Sequence, residues 1–436
     1  MTAALSAGAL RRRLDGLAPG RSFGRLSRIV GLEVEARGLA GAIGDLVYLT
    51  GRDGRVPAEV VAVRDDTLVV MPYGPLDGLA PDAPVEAAGK RFQLQAGPGL
   101  VGRVVDGLGR PIDGLGPVGG EWVDLDSPVP HPMRRRRIDT PLPLGVRAVD
   151  TMLACGRGQR VGIFAGSGVG KSTTLGMMAR GTAADVIVVG LVGERGREVR
   201  EFLEDDLGPA GRERSCVVVA TSDEPPLVRL RAAFTATRIA EWFRDQGADV
   251  LLLVDSLTRF AMAQREVGLA AGEPPATRGY PPSVFAMMPR LLERAGPGET
   301  GTITGLYTVL VEGDDLSEPV TDHARSILDG HIVLSRRLAA AGHYPTIDVL
   351  ESVSRLMGKI CPPEQRSLAG RLRRLMAAYA EAKDLIEIGA YAPGANPEVD
   401  EAVAKRGSIE AFLRQPVDEV ADAADSWGRL AALVAA

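Results

Sequence analysis

The chain has 436 residues, enough for two or three domains that each bury their own core. Apolar residues make up 45% and charged residues 25%, the balance of an ordinary globular protein and not of a disordered or fibrous one. The formal net charge is −5 and no long basic stretch dominates, so bulk charge gives no reason to expect a nucleic-acid partner.

The N-terminus reads MTAALSAGALRRRLDGLAPG. Its apolar run is short and its arginines follow that run, the wrong order for a secretory signal. Residues 1–21 read as a short helix with Leu5, Leu10 and Leu14 near one face. Such a segment serves contact with a partner or membrane surface, or simple packing. No apolar run reaches the length of about 18 residues that a membrane span needs.

Residues 22–93 carry short β-rich runs (RIVGLEVEA, GDLVYLT, AEVVAV, DTLVVMPYG) broken by Gly and Asp turns. Period-two alternation and short spacing predict a small closed β-barrel. Its aromatic residues are Phe23, Tyr48, Tyr73 and Phe92, too few for the stacking platforms of a single-strand binder. A glycine-punctuated connector follows, with a basic run at Arg134–Arg137 that reads as solvated or ion-paired. Cys155, Cys216 and Cys361 form no CxxC pair, and the four histidines show no metal-binding spacing. The thiols are expected to be reduced and partly buried.

From about residue 145 to 365 the rhythm is strand, loop, helix, and the strands VIVVGLVG, SCVVVATS and VLLLVD are apolar without alternation; with the connector, this core domain is expected to span residues 94–365. Strands of that kind are covered on both faces, which predicts a mostly parallel sheet with helices outside. Residues 366–436 read as helices with apolar residues every three to four positions. The expected fold is α/β: a RecA-like core with an N-terminal β-barrel and a C-terminal helical domain.

Three motifs carry the chemistry. RVGIFAGSGVGKSTT runs from a strand through Gly166, Ser167, Gly168, Val169 and Gly170 into a helix opened by Lys171, Ser172 and Thr173. Glycines here let successive N–H groups converge on a phosphate, and the helix N-terminus adds its field. Lys171 reaches the β- and γ-phosphates, and Ser172 offers its hydroxyl to Mg²⁺. The usual pattern begins with Gly, and Ala165 stands in that position. Next, a strand delivers Glu194 and Arg195 to the sheet's C-terminal edge, where open α/β sheets bind ligands. Glu194 is placed to hold a hydrolytic water, or else to pair with Arg195 or Arg197. Third, Asp255 follows four apolar residues and is placed to orient magnesium, or else to cap the next helix. Together the motifs point to nucleotide hydrolysis.

AGSGVGKS, GERGRE and LLLVDSLTRFAMAQRE resemble the catalytic subunits of rotary ATP synthases and their homohexameric relatives. MPYGPLDGL, HPMRRRRIDTPLPLGVRAVD, VEGDDLSEPVTDHARSILDGHIVLSR and YPTIDVLESVSRLM are similar to the ATPases of type III protein export. Flagellar members look nearer than virulence members. The resemblance implies a Mg²⁺-dependent ATPase with ATP as substrate, working as a homohexamer that unloads chaperone-bound cargo at an export gate. It implies a cytoplasmic protein peripherally associated with the inner membrane. It also implies a regulatory or stator-like partner at residues 1–21, a central stalk protein near VEGDDLSEP, and no nucleic acid. Lys171, Glu194, Arg195, Asp255 and Arg355 match the family's catalytic positions, with Arg355 as an arginine finger for a neighbouring subunit. Tyr344 matches the aromatic residue against adenine, from its own subunit or the next. Ser172 and Asp255 match the metal-associated pair. A hexameric nucleic-acid motor is the alternative from another class.

Overall fold

The computed structural model describes residues 22–435 except 312 and 314. The expected partner segment at 1–21 lies outside the described residues, as does part of VEGDDLSEP. The chain divides into two compact units.

The first unit comprises, among the described residues, 22–92 with the tetrapeptide Leu269–Gly272. Its strands are β1 (Phe23–Val30), β2 (Glu33–Arg37), β3 (Asp45–Gly51), β4 (Gly54–Arg64), β5 (Thr67–Pro72) and β6 (Pro84–Arg91). They close in the order β1-β2-β5-β4-β3-β6, with β6 pairing back onto β1, and all neighbours are antiparallel. Alternation decides what fills the interior: Leu26, Val34, Ala36, Leu49, Val60, Val70 and Val85 are all buried. Closure leaves no unpaired edge.

The second unit is built on a nine-stranded sheet. At the start of this unit, β7 (Gln93–Ala96) pairs with β9 (Glu121–Asp124), and β8 (Val104–Asp106) joins the large sheet at its edge. The apparent connector therefore adds strands too short to be read from periodicity. The remaining strands are β10 (Arg160–Ala165), β11 (Val186–Glu194), β12 (Ser215–Thr221), β13 (Asp249–Asp255), β14 (Gly296–Pro297), β15 (Thr302–Leu310), β16 (Gly330–Leu334) and β17 (Ile347–Ser354). The order is β17-β16-β10-β15-β13-β11-β12-β8, with β14 on β15. All pairings along this row are parallel except β16–β17. Central strands are buried on both faces, as their unbroken apolar runs require: Leu251–Val254 of β13 are all 1% exposed or less.

Helix α1 (Arg147–Met152) precedes the phosphate-loop strand, and α2 (Lys171–Gly181) follows the loop. The run EVREFLEDDLG begins as helix α3 (Gly196–Glu201) and passes into a π-helical turn at Phe202–Asp206. That turn lies against α2, where a Cβ on Gly176 would come 2.5 Å from the Asp206 carbonyl oxygen. Helix α4 (Gly208–Glu213) completes the segment. Helix α5 (Pro226–Asp245) packs on β11, β12 and β13. Helices α6 (Leu257–Ala270), α7 (Pro282–Leu292), α8 (Pro319–Ile327), α9 (Arg336–Ala340) and α10 (Met357–Ile360) follow in order.

The C-terminal helices are α11 (Pro363–Glu387), α12 (Pro397–Leu413) and α13 (Ala423–Ala435). They share one core with the sheet: Leu372, Leu375, Ile409, Phe412, Leu430 and Val434 belong to the same buried cluster as Ile163, Leu191 and Leu253. Arg147 fastens this junction. It donates to the carbonyls of Phe412 (3.1 Å) and Arg414 (2.9 Å) and pairs with Glu419. The basic run is held by similar means, with Arg134 3.7 Å from Glu299 and Arg136 donating to the Thr300 carbonyl at 2.6 Å. Cys155, Cys216 and Cys361 are buried free thiols.

Candidate active site

The site forms at the C-terminal edge of the parallel strands. β10 ends at Ala165 and the chain turns through 166–170 into α2. Gly168 (φ +76°) and Gly170 (φ +85°) hold left-handed conformations that a side chain would strain. Alternation of such glycines turns N–H groups into a concave nest for an anion. The loop is anchored from both sides. Val169 is buried and its carbonyl accepts the Thr346 hydroxyl at 2.6 Å, while Thr174 donates its N–H and hydroxyl to the Gly170 carbonyl at 3.0 and 2.9 Å. Gly166 is buried, whereas Ser167 and Gly168 face solvent. Ser172 makes no hydrogen bond with any other described residue through its hydroxyl, and Thr173 is engaged by Asp206.

Neighbouring strands bring two carboxylates under the loop. Lys171 Nζ lies 2.5 Å from Asp255 Oδ1 and 3.4 Å from Glu194 Oε1. Asp255, 3% exposed, also accepts the Thr308 hydroxyl from β15 at 2.6 Å. Burial alone would lower the Lys171 pKa, but the Asp255 and Glu194 carboxylates outweigh it and hold the ammonium above its usual range. Burial pushes Glu194 the other way, up to about 7, and the nearby Asp255 charge adds to the rise. Glu198 reinforces this by hydrogen bonding to the Glu194 carboxyl. Glu194 is therefore a carboxyl that gains or loses its proton near neutral pH, the property a general base needs.

Two residues that motif reading missed complete the cluster. Arg259, in the first turn of α6, sits 3.3 Å from Glu194 Oε2 and donates to the Gly193 carbonyl. Its Nε is buried and has no partner. The signal was available once the start of α6 at Leu257 is known: Arg259, four positions after Asp255, returns on the first helical turn to the strand end. Glu198, one helical turn past Glu194, is the second.

The remaining expected residues are placed differently. Tyr344 is 47% exposed, and its Cε1 would lie 3.7 Å from a Cβ on Gly170, so the ring stands over its own chain's phosphate loop. Arg195 points into solvent, its side chain 71% exposed, and pairs with Glu198 at 3.4 Å. Arg355 is exposed and follows β17, which runs antiparallel to β16. Leu334 and Ile347 pair at the loop edge, and Gly330 and Ser354 pair at the other end. At about 3.3 Å per residue, Arg355 stands roughly 13 Å or more from its own loop along the strand. It instead donates to the Arg325 carbonyl at 3.2 Å.

The donor set fits a triphosphate. The left-handed glycines and the helix N-terminus suit phosphate oxygens, and the buried Arg259 Nε beside Glu194 is a donor that the described residues leave unpaired. The free Ser172 hydroxyl and the Asp255 carboxylate supply hard oxygen donors suited to Mg²⁺.

Comparison with known proteins places the chain in a family. Residues 145–354 match the nucleotide-binding domain of the ATP synthase alpha/beta family, residues 26–89 its beta-barrel domain, and residues 361–432 the T3SS EscN ATPase C-terminal domain. The chain is 51% identical over 417 residues to the flagellum-specific ATP synthase of Bacillus subtilis, covering 95% of each chain. It is 51% identical over 414 residues to the type 3 secretion system ATPase of Xanthomonas euvesicatoria, covering 94% of each. The assembled ATPase EscN of enteropathogenic E. coli superposes with a TM-score of 0.90 at 44% identity, over 94% of this chain and all of that one. The chain belongs to the flagellar and type III secretion export ATPases, a branch of the ATP synthase alpha/beta family.

Proposed function

We propose that this chain hydrolyses Mg²⁺-ATP at sites shared between neighbouring copies in a homohexameric ring, and that the ring energises type III export. One observation carries the shared-site reading. Lys171, Glu194, Asp255 and Arg259 converge at the phosphate loop, while Arg355 lies beyond reach of that loop in its own chain. An arginine so placed serves the loop of an adjacent copy, where it stabilises charge on the transferring phosphoryl group.

In this reading the loop glycines and Lys171 bind and orient the triphosphate. Ser172 and Asp255 would hold a magnesium ion, which would supply neutralisation of phosphate charge. Glu194 orients the attacking water and accepts its proton, with Arg259 and Glu198 fixing the carboxyl's position. Tyr344 stacks on the adenine from the same chain as the loop. Arg195 sits at the rim of the phosphate pocket.

The relatives extend the proposal. EscN has been solved in complex with its central stalk EscO, and that structure overlays this chain with a TM-score of 0.87. A central stalk protein, chaperone–cargo complexes, the export gate and a stator-like regulator at residues 1–21 are the partners proposed here. The proposed location is the cytoplasmic face of the inner membrane. No helix among the described residues is long and apolar enough to cross a membrane. Flagellar and virulence relatives match at the same 51% identity, so overall identity does not separate those two uses.

The test is ATPase rate against protein concentration, with mass measured in parallel. A rate per chain that climbs as hexamers form supports the shared site. A constant rate in a stable monomer overturns it.

A further inference from the structure

A cavity of about 410 Å³ lies between α9, the start of β17 and the C-terminal helices α11 and α12. This volume is within the range of small-molecule pockets. Its wall is aliphatic, formed by Leu338, Ile347, Val349, Leu375, Ile409 and Leu413. None of these residues belongs to the phosphate-loop cluster.

Two features show that the cavity is more than a packing defect. His343, 6% exposed, lines it, and His343 Nε2 has no hydrogen-bond partner. Burial lowers the His343 pKa, so the ring is neutral near pH 7 and Nε2 either donates or accepts according to its tautomer. A buried polar nitrogen left unpaired costs free energy, so it marks a missing partner. The second feature is charge. Arg337, Lys383, Arg406 and Arg414 line the cavity against only Asp348 and Glu410, four cations to two carboxylates. Arg406 is bonded to Glu410 at 3.0 Å, Arg337 lies 3.7 Å from Asp348, and Lys383 lies 3.5 Å from Glu387 just outside the cavity. Arg414 is exposed, makes no ion pair among the described residues, and lies near enough to His343 to depress its pKa.

An aliphatic wall, an orphaned imidazole nitrogen and an unpaired guanidinium at one end define a complementary ligand. We propose that this cavity binds a small amphipathic anion, its apolar body on the aliphatic wall and its charged head between His343 Nε2 and Arg414. The position gives such a ligand a route to the active site. His343 directly precedes Tyr344, and Gln415, which follows Arg414, donates its N–H to the Tyr344 carbonyl at 3.0 Å. A bound anion therefore stiffens or displaces the segment that carries the Tyr344 ring over Gly170. Binding itself does not depend on ATP hydrolysis.

The probe is 8-anilinonaphthalene-1-sulfonate, an apolar bicyclic body with one anionic head, titrated into the full chain at saturating ADP. Its uncharged analogue N-phenyl-1-naphthylamine serves as the control. The expected result is one saturable site per chain. Arg414→Glu weakens the sulfonate about tenfold or more and leaves the neutral dye unchanged. Ala380→Trp, which fills the cavity from α11, weakens both dyes. A Lys171→Ala chain, inactive under the ATPase reading, binds the sulfonate like the wild type, so failure of one proposal is distinguishable from failure of the other. Sulfonate binding that is absent or unsaturable at saturating ADP, or equal in wild type and both cavity variants, overturns the inference.

Discussion

Glu194→Gln isolates the base from the rest of the site. The substitution keeps shape and removes the charge. Lys171 stays anchored by Asp255 at 2.5 Å, and Arg259 still donates to the Gly193 carbonyl, so the loop keeps its cation. What disappears is the buried carboxylate able to accept a proton from water. Positioned general bases contribute about 10²–10⁴ in rate, which corresponds to about 3–5 kcal/mol of barrier. We expect kcat to fall by that factor while the dissociation constant for a non-hydrolysable ATP analogue changes less than about threefold. The pH profile gives a second readout. Burial raises Glu194 to about 7, so the carboxyl is mostly protonated below that pH and useless as a base. In the wild type kcat/KM therefore rises with pH through about 7, and the Gln variant lacks that limb. Steady-state kinetics with a coupled phosphate assay measures both. A Gln variant within tenfold of wild type, or one that retains the same limb, refutes the role given to Glu194.

Two further outcomes follow from the structure. Tyr344→Ala should raise KM for ATP about tenfold with kcat little changed, since base stacking contributes about 1–3 kcal/mol, and Tyr344→Phe should restore it. The pair Glu241–Arg294 is 0% and 3% exposed and joined by two bonds of 2.7 Å. Glu241→Ala should cost about 3–5 kcal/mol in urea unfolding by stranding the guanidinium, and pairing Glu241→Leu with Arg294→Met should recover most of it.

Legibility differed by element for physical reasons. The phosphate loop was readable because strand, alternating glycines and a Lys-Ser helix start each demand particular residue types in order. The α/β core was readable because buried parallel strands such as Val186–Gly193 leave no polar position. β8 was hidden because three residues carry no period. Arg259 was hidden because its relation to Glu194 depends on where α6 begins. The shared core of α11–α13 with the sheet was invisible because amphipathic spacing tells which face is buried and not against what. The reach of Arg355 needed topology: only the antiparallel run of β17 carries it away from the loop that Tyr344, eleven residues earlier, covers.

The most direct test of the shared site is mixing of two inactive chains, Lys171→Ala and Arg355→Ala. Each alone lacks one half of every site. In mixed rings, about one interface in four places an intact Lys171 opposite an intact Arg355. The account predicts that mixing restores ATPase activity toward that fraction of the wild-type rate per interface. If co-assembled rings stay inactive while Arg355→Ala binds nucleotide normally, or if Arg355→Ala is active alone, the shared site is contradicted.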